Sequence, residues 1–310
     1  MVICLSNNDG EAGMMKRSEG DLIKYRQNLL ILALACVLAH WHGLCAAENA
    51  ATASAGPVMD KPRPFVVFDN MPKEAGVDTS STGMIPCTII PIPWKDKLVP
   101  DEEAFKEAVH KLAAHPRLLI LDIEYVPLSG SNRTEVDSHF RLFINLVKWA
   151  HEAAPGHPVG YYGHGLFPEQ PGKEYAAETQ ELIAAVDAFC PSMYNFDDNQ
   201  KGWKHKLQGL VQQAHRIAPG KPVYPYMWPG YHVGTGKSMH LLTGEHWKFE
   251  LDTAHECGAD GLIIWGNPKA HWKDKSTWWE ETLNFMASKP MVQSPTISDG
   301  AANPAKPDDR

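Results

Sequence analysis

The chain has 310 residues and a net charge of −8 at pH 7, with 44% hydrophobic and 21% charged residues. That composition is ordinary for a globular protein, and the excess of acid over base excludes nucleic-acid binding by long-range attraction. The length suits one large α/β barrel or two ordinary domains.

Lys24 and Arg26 precede the apolar run Leu29–Leu38, and Cys45-Ala46-Ala47 offers small residues for cleavage. The run is shorter than the roughly 20 residues of a membrane span. Residues 1–47 are therefore expected to be an export signal, directing the protein to the periplasm or outside the cell, or anchoring it in a membrane if uncleaved. Residues 48–61 are rich in Ala, Ser and Gly and read as a flexible linker. Residues 62–288 show no break in composition and read as one domain, and 289–310 as a disordered tail. Within the domain, Cys87, Cys190 and Cys257 are too few and too widely spaced for a disulfide framework or a CxxC metal site. Buried thiols are expected, with one pairing left open. Asn132-Arg133-Thr134 matches the glycosylation sequon.

Seven strand-like segments follow in order: Phe65–Asn70, Met84–Pro91, Leu118–Glu124, Val159–Gly163, Ala188–Tyr194, Pro222–Met227 and Gly261–Gly266. Residues 71–82 read as a loop. Amphipathic helical patterns over 101–115, 134–154, 174–187, 203–217, 243–257 and 276–287 separate the later strands. Ala154-Pro155-Gly156 and Ala218-Pro219-Gly220 are helix stops. Strands and helices alternating at this spacing predict right-handed βαβ units and a parallel sheet. An open sheet would carry a Gly-rich first turn, which is missing, while site-like residues recur at nearly every strand end. The expected fold is therefore α/β, a distorted TIM-type (β/α) barrel with about seven parallel strands.

The third segment, Leu118-Leu119-Ile120-Leu121-Asp122-Ile123-Glu124, carries the chemistry. A period of two puts Asp122 and Glu124 on one face, where a buried strand emerges at its C-terminal end. Taken alone, such acids more often cap a loop. Other strand ends add Tyr161-Tyr162-Gly163-His164, Ser192-Met193-Tyr194, then Tyr224, Tyr226, Trp228 and Tyr231, and finally Trp265. On one barrel rim these make a pocket of acids, tyrosines and tryptophans, suited to a neutral sugar ring. Each aromatic by itself could simply be core.

Other motifs do not hold. Gly234-Thr235-Gly236-Lys237-Ser238 lacks the earlier glycine of a phosphate-binding loop, because position 231 is Tyr231. His151-Glu152 has no second histidine at helical spacing, so no metal and no cofactor is expected. His164 and His232 are the only histidines placed as pocket candidates.

Spacing on one strand also bears on mechanism. Two carboxylates on one face reach a sugar from one side, which fits poorly with an acid opposite a nucleophile. It fits a route in which the substrate's own 2-acetamido oxygen attacks the anomeric carbon. Glu124 would then be acid and base, and Asp122 would orient the acetamido group. The charge of Asp122 would help keep Glu124 protonated.

The ordered set Leu121-Asp122-Ile123-Glu124, Gly160-Tyr161-Tyr162-Gly163, Pro191-Ser192-Met193-Tyr194, Pro222-Val223-Tyr224-Pro225-Tyr226 and Gly261–Gly266 resembles the hyaluronidase family of glycoside hydrolases. The resemblance implies a distorted barrel of seven strands and retaining, substrate-assisted cleavage of β-linked N-acetylhexosamine glycans. It implies Asp122 and Glu124 as the catalytic pair, Tyr194 and Tyr226 as hydroxyl contacts and Trp265 as a wall of the acetamido pocket. Tyr162, Trp228 and Tyr231 complete the expected substrate-binding set, and the expected partner is an oligo- or polysaccharide. Tyr125-Val126-Pro127 follows Glu124 where the family continues to Trp and Arg. With few arginines near the rim, a neutral N-acetylhexosamine glycan is as apt a substrate as hyaluronan. Two rivals stay open: a conventional glycosidase pairing Glu124 with Asp197 or Asp198, and a non-catalytic glycan-binding barrel.

Overall fold

The computed structural model describes residues 64–71, 79, 81–90, 101–113, 118–124, 126–163, 175–266 and 276–292. The expected signal segment and linker lie outside these residues. Among those described, eight parallel strands and six helices alternate after an initial strand run. In chain order they are β1 Val66–Asn70, β2 Ile85–Pro86, β3 Thr88–Ile90, α1 Glu102–Leu112, β4 Leu119–Leu121, α2 Arg133–Ala153, β5 Val159–Tyr162, α3 Ala176–Ala185, β6 Ala188–Cys190, α4 Gln200–Ile217, β7 Tyr226–Met227, α5 Gly244–Glu256, β8 Gly261–Trp265 and α6 Ser276–Ser288.

The strands form two four-stranded parallel ladders, β2-β1-β8-β7 and β3-β4-β5-β6. One expected strand is divided between them. The second segment breaks at Cys87: Ile85 and Pro86 pair with β1, while Thr88–Ile90 pair with β4. Cys87 N–H still donates to Asp69 O at 3.0 Å, and Thr88 N–H to Leu118 O at 3.0 Å, so this strand joins the ladders on one side. On the other side, β6 and β7 are stitched by parallel bridges Phe189↔Val223 and Ser192↔Tyr226. The result is a closed, distorted (β/α) barrel. It has eight strands where seven are expected, because one stave switches partners midway.

The helices start where polar side chains can satisfy their free N–H groups. Asp101, Asn132, Asn199 and Thr243 are the N-caps of α1, α2, α4 and α5 and accept from Ala104, Glu135, Gly202 and His246 N–H. The sequon asparagine, Asn132, is thus an exposed helix cap. Beyond α6, Phe65 N–H donates to Pro290 O at 3.1 Å and Val292 N–H to Phe65 O at 3.0 Å, so chain assigned by sequence to the tail runs beside β1.

Strand alternation divides the core in two. Val67, Ile90, Leu119, Leu121, Val159, Tyr161, Phe189, Met227, Leu262 and Ile264 face outward and pack on Phe105, Phe140, Phe143, Leu207, Trp247 and Trp278 of the helices. Phe68, Cys87, Leu118, Ile120, Ala188, Cys190, Tyr226 and Ile263 fill the barrel interior. Cys87, Cys190 and Cys257 form no disulfide with one another, and the first two are buried. Tyr161 shows how the layers interlock: its ring packs tilted against Phe143 with centroids 4.7 Å apart, and its hydroxyl donates to Phe143 O at 2.8 Å. Tyr161→Phe removes that bond and is expected to cost about 1 kcal/mol in urea unfolding.

Candidate active site

Parallel strands deliver their C-terminal ends to one rim, and the pocket lies there. Its walls are Ile89, Asp122, Glu124, Tyr162, Tyr194, Tyr226, Trp228, His232, Val233 and Trp265, around a cavity of about 180 Å³. These residues come from the ends of β3 to β8 or the turns just after them.

The two acids follow β4 directly. The strand stops at Leu121, so Asp122 and Glu124 stand just beyond it rather than within it. The alternation nevertheless continues. Leu121 and Ile123 are buried against the helix layer, Asp122 is half-buried and Glu124 exposed. Both carboxylates therefore extend the row of Leu118 and Ile120, upward from the barrel interior into the pocket. Enough protein surrounds the Glu124 carboxyl to strip part of its hydration, which raises its pKa above the ordinary carboxylate value. Partial burial is the cause, where the sequence looks to the charge of Asp122.

Three tyrosines face these acids. Burial pushes the Tyr162 phenol up to about 12, and the negative charges of Glu124 and Asp122 act in the same direction. Tyr194 is raised well above its ordinary value, first by burial and then in part by the same two carboxylates. Tyr226 is raised likewise, first by burial, with the charge of Asp122 among the further causes. Both acids thus stand within electrostatic reach of Tyr162 and Tyr194. All three phenols stay neutral and can donate. Tyr226 O–H donates to Asn70 Oδ1 at 3.2 Å, which anchors its ring across the barrel.

Trp228, fully buried, backs the aromatic wall. Its ring meets the edges or faces of Tyr194 and Trp265 at centroid distances of 5.9 and 5.3 Å. Tyr194 and Trp265 stack at 5.7 Å and 30°.

The structure brings together seven of the eight expected site residues. Tyr231 is the exception. It is buried in the outer core, its hydroxyl bonds Asp198, and Lys237 lies over its ring. The reason is parity: Tyr224, Tyr226 and Trp228 share the inner face, and Tyr231 falls on the other. His232, Val233 and Ile89 complete the wall. His232 follows the even-numbered inner row, a signal readable from the strand period. Val233 and Ile89 carry no chemical signal in sequence. His164 lies outside the described residues.

The carboxylates offered as conventional partners are elsewhere. Asp198 is bonded to Lys237 and Tyr231, and Asp197 Oδ1 accepts from Asn199 N–H at 2.8 Å; neither lines the pocket. The glycine-rich 234–238 stretch is a surface loop whose Lys237 pairs with Asp198. His151, of the rejected metal motif, contacts Asp187 at 2.7 Å. Among the described residues no cluster of three His, Cys, Asp or Glu is placed to hold a metal.

No family model and no curated protein sequence matches the chain. Its fold is similar to that of bee venom hyaluronidase in a monoclinic crystal form. That superposition has a TM-score of 0.52 and 18% identity, over 72% of this chain and 96% of that one. The bee venom hyaluronidase complex with a hyaluronic acid tetramer gives the same TM-score and identity over 72% and 95%. What these superpositions define is the fold class, a distorted (β/α) barrel like that of bee venom hyaluronidase.

Proposed function

We propose that the protein is an exported glycoside hydrolase that cleaves β-linked N-acetylhexosamine glycans with retention, by substrate assistance. The observation that carries this reading is that Asp122 and Glu124 enter one pocket from the same strand end. No other carboxylate is among the described lining residues. A nucleophile on the far side of the sugar is then most simply the substrate's own acetamido oxygen.

The residues divide the work accordingly. Glu124, its pKa raised, gives its proton to the leaving glycosidic oxygen as the C1–O bond breaks. The acetamido oxygen forms the new bond to C1, giving a cyclic cation that Asp122 orients and stabilises. Water then attacks C1 and returns a proton to Glu124, and the acetamido group is released unchanged. Two attacks on the same carbon restore the starting configuration. Tyr162 and Tyr194 offer neutral hydroxyls to the sugar, Tyr226, whose proton goes to Asn70, can accept from it, and Trp265 and Trp228 wall the acetamido methyl. The conventional two-carboxylate rival gains nothing from Asp197 or Asp198, which lie outside the pocket. A non-catalytic binding barrel would use the same aromatic walls, and turnover distinguishes it.

A thiazoline analogue of N-acetylhexosamine mimics the cyclic intermediate. It is expected to inhibit competitively, and Asp122→Asn is expected to weaken that inhibition by at least about tenfold, the loss that follows from removing a charged hydrogen-bond partner. Good turnover with no inhibition by the thiazoline would remove the substrate-assisted route. Loss of anomeric configuration, followed by proton NMR of the product, would do the same.

A further inference from the structure

The aromatic wall does not end at the pocket. Trp265 stacks on Tyr194; Tyr194 stacks on the His232 imidazole at 5.8 Å and 23°; and His232 meets Phe196 at 4.8 Å and 40°. Trp228 backs three of the four rings edge-on, His232 included at 6.3 Å. Along this row the rings pass from burial to open surface: Tyr194 is 7% exposed and Phe196 is 41% exposed. Val233, 54% exposed, lines the pocket beside His232, so the cavity opens onto the same surface.

This outer end is held in place. His232 N–H donates to Asn195 O at 2.7 Å, and Asn195 and Tyr231 form a parallel bridge. His232 Nδ1 lies 2.9 Å from Val233 O, which requires the proton on Nδ1 and leaves Nε2 of the neutral ring as an acceptor. The Asp197 side chain closes the turn after Phe196 onto Asn199 N–H. A large exposed ring on fixed backbone, continuous with a sugar-sized pocket, is a preorganised stacking face.

We propose that Phe196 and His232 form a second subsite, which binds the next residue of the same glycan chain and selects uncharged sugars; this rests on the glycosidase reading above. The ring faces take the C–H face of a pyranose, and His232 Nε2 accepts from one of its hydroxyls. Charge supplies the selection. Phe196 is followed by Asp197 and Asp198, and Lys237 pairs with Asp198. Asp122 and Glu124 line the same pocket within electrostatic reach of Tyr194, and no Lys or Arg is among the described pocket-lining residues. A uronate placed on Phe196 meets like charge, whereas an uncharged N-acetylhexosamine does not.

The test compares chitooligosaccharides of two to six residues with hyaluronan oligosaccharides of matched length, using wild type, Phe196→Ala and Phe196→Tyr. Wild type is expected to gain in kcat/KM with chain length and to prefer the uncharged series. In Phe196→Ala the ratio of kcat/KM on the hexamer to that on the shortest cleaved chain should fall about tenfold, the usual effect of removing a binding aromatic. Phe196→Tyr should restore it, which a merely misfolded loop would not do. An unchanged ratio in Phe196→Ala, in an active enzyme, overturns the subsite while leaving the glycosidase reading intact. Better cleavage of hyaluronan than of chitooligosaccharides overturns the selection. A wild type that cleaves neither series overturns both the subsite and the reading beneath it.

Discussion

Glu124→Gln is expected to lower kcat by about 10²–10⁴-fold, the range that a positioned general acid supplies, with little change in KM. Gln keeps the size and polarity of the side chain, and Glu124 stands exposed at the pocket edge, so the fold has no reason to change. The loss should depend on the leaving group. A nitrophenyl glycoside departs without help from a proton, so its cleavage should suffer much less than that of a natural linkage. Asp122→Asn should show the opposite pattern, because orienting the acetamido group matters whatever leaves. The pH profile gives a second handle. The acid must be protonated before reaction, so wild-type kcat/KM should fall as pH rises through the Glu124 pKa. Partial loss of hydration around the carboxyl places that fall above the ordinary glutamate value of about 4.3. Glu124→Gln has no proton to lose there, and its residual activity should be flat across the same range. A wild-type profile with no alkaline fall would remove Glu124 as the acid.

Gly261→Ala is expected to destabilise the barrel by about 1–3 kcal/mol or more, as overpacking of a rigid interior does. Gly261 pairs with Val66 where β8 meets β1, and a Cβ there would lie 2.2 Å from Val66 O. The obstacle is backbone rather than a flexible side chain, so the two strands must move apart. Gly209 is the control. It is exposed on α4 and a Cβ there meets nothing within 4 Å. Gly209→Ala should stabilise by roughly 0.5–1 kcal/mol through helix propensity. Urea unfolding of both variants checks the pair. Equal effects would show that the tight β1–β8 approach has no special cost.

The helices were the most legible elements, because long apolar periodicity and capping residues such as Asn132 and Asn199 are local signals. Strand number was harder. Nothing in Met84–Pro91 announces that the ladder changes partner at Cys87, since the switch is decided by barrel closure and not by the segment itself. The pocket was legible where the strand period could be carried past the strand: Ile120, Asp122 and Glu124 keep one parity even though the ladder ends at Leu121. The same rule applied strictly to Tyr226, Trp228 and beyond excludes Tyr231 and admits His232. Residue type alone favoured the tyrosine. The role proposed for Phe196 was invisible, because an exposed ring and a buried one read alike in sequence.

The first strand of the barrel is completed by the last. Val66–Asn70 pairs along its whole length with Gly261–Trp265, and Phe65 is bracketed by Pro290 and Val292. The nascent chain therefore cannot close its barrel while it is being made. At about 5–20 residues per second, β1 waits many seconds for its neighbour, with an unpaired edge on the side that β8 will occupy. Closure is a late event of high contact order, reached only when the whole domain has left the ribosome. The wait makes the final seam the step most exposed to aggregation.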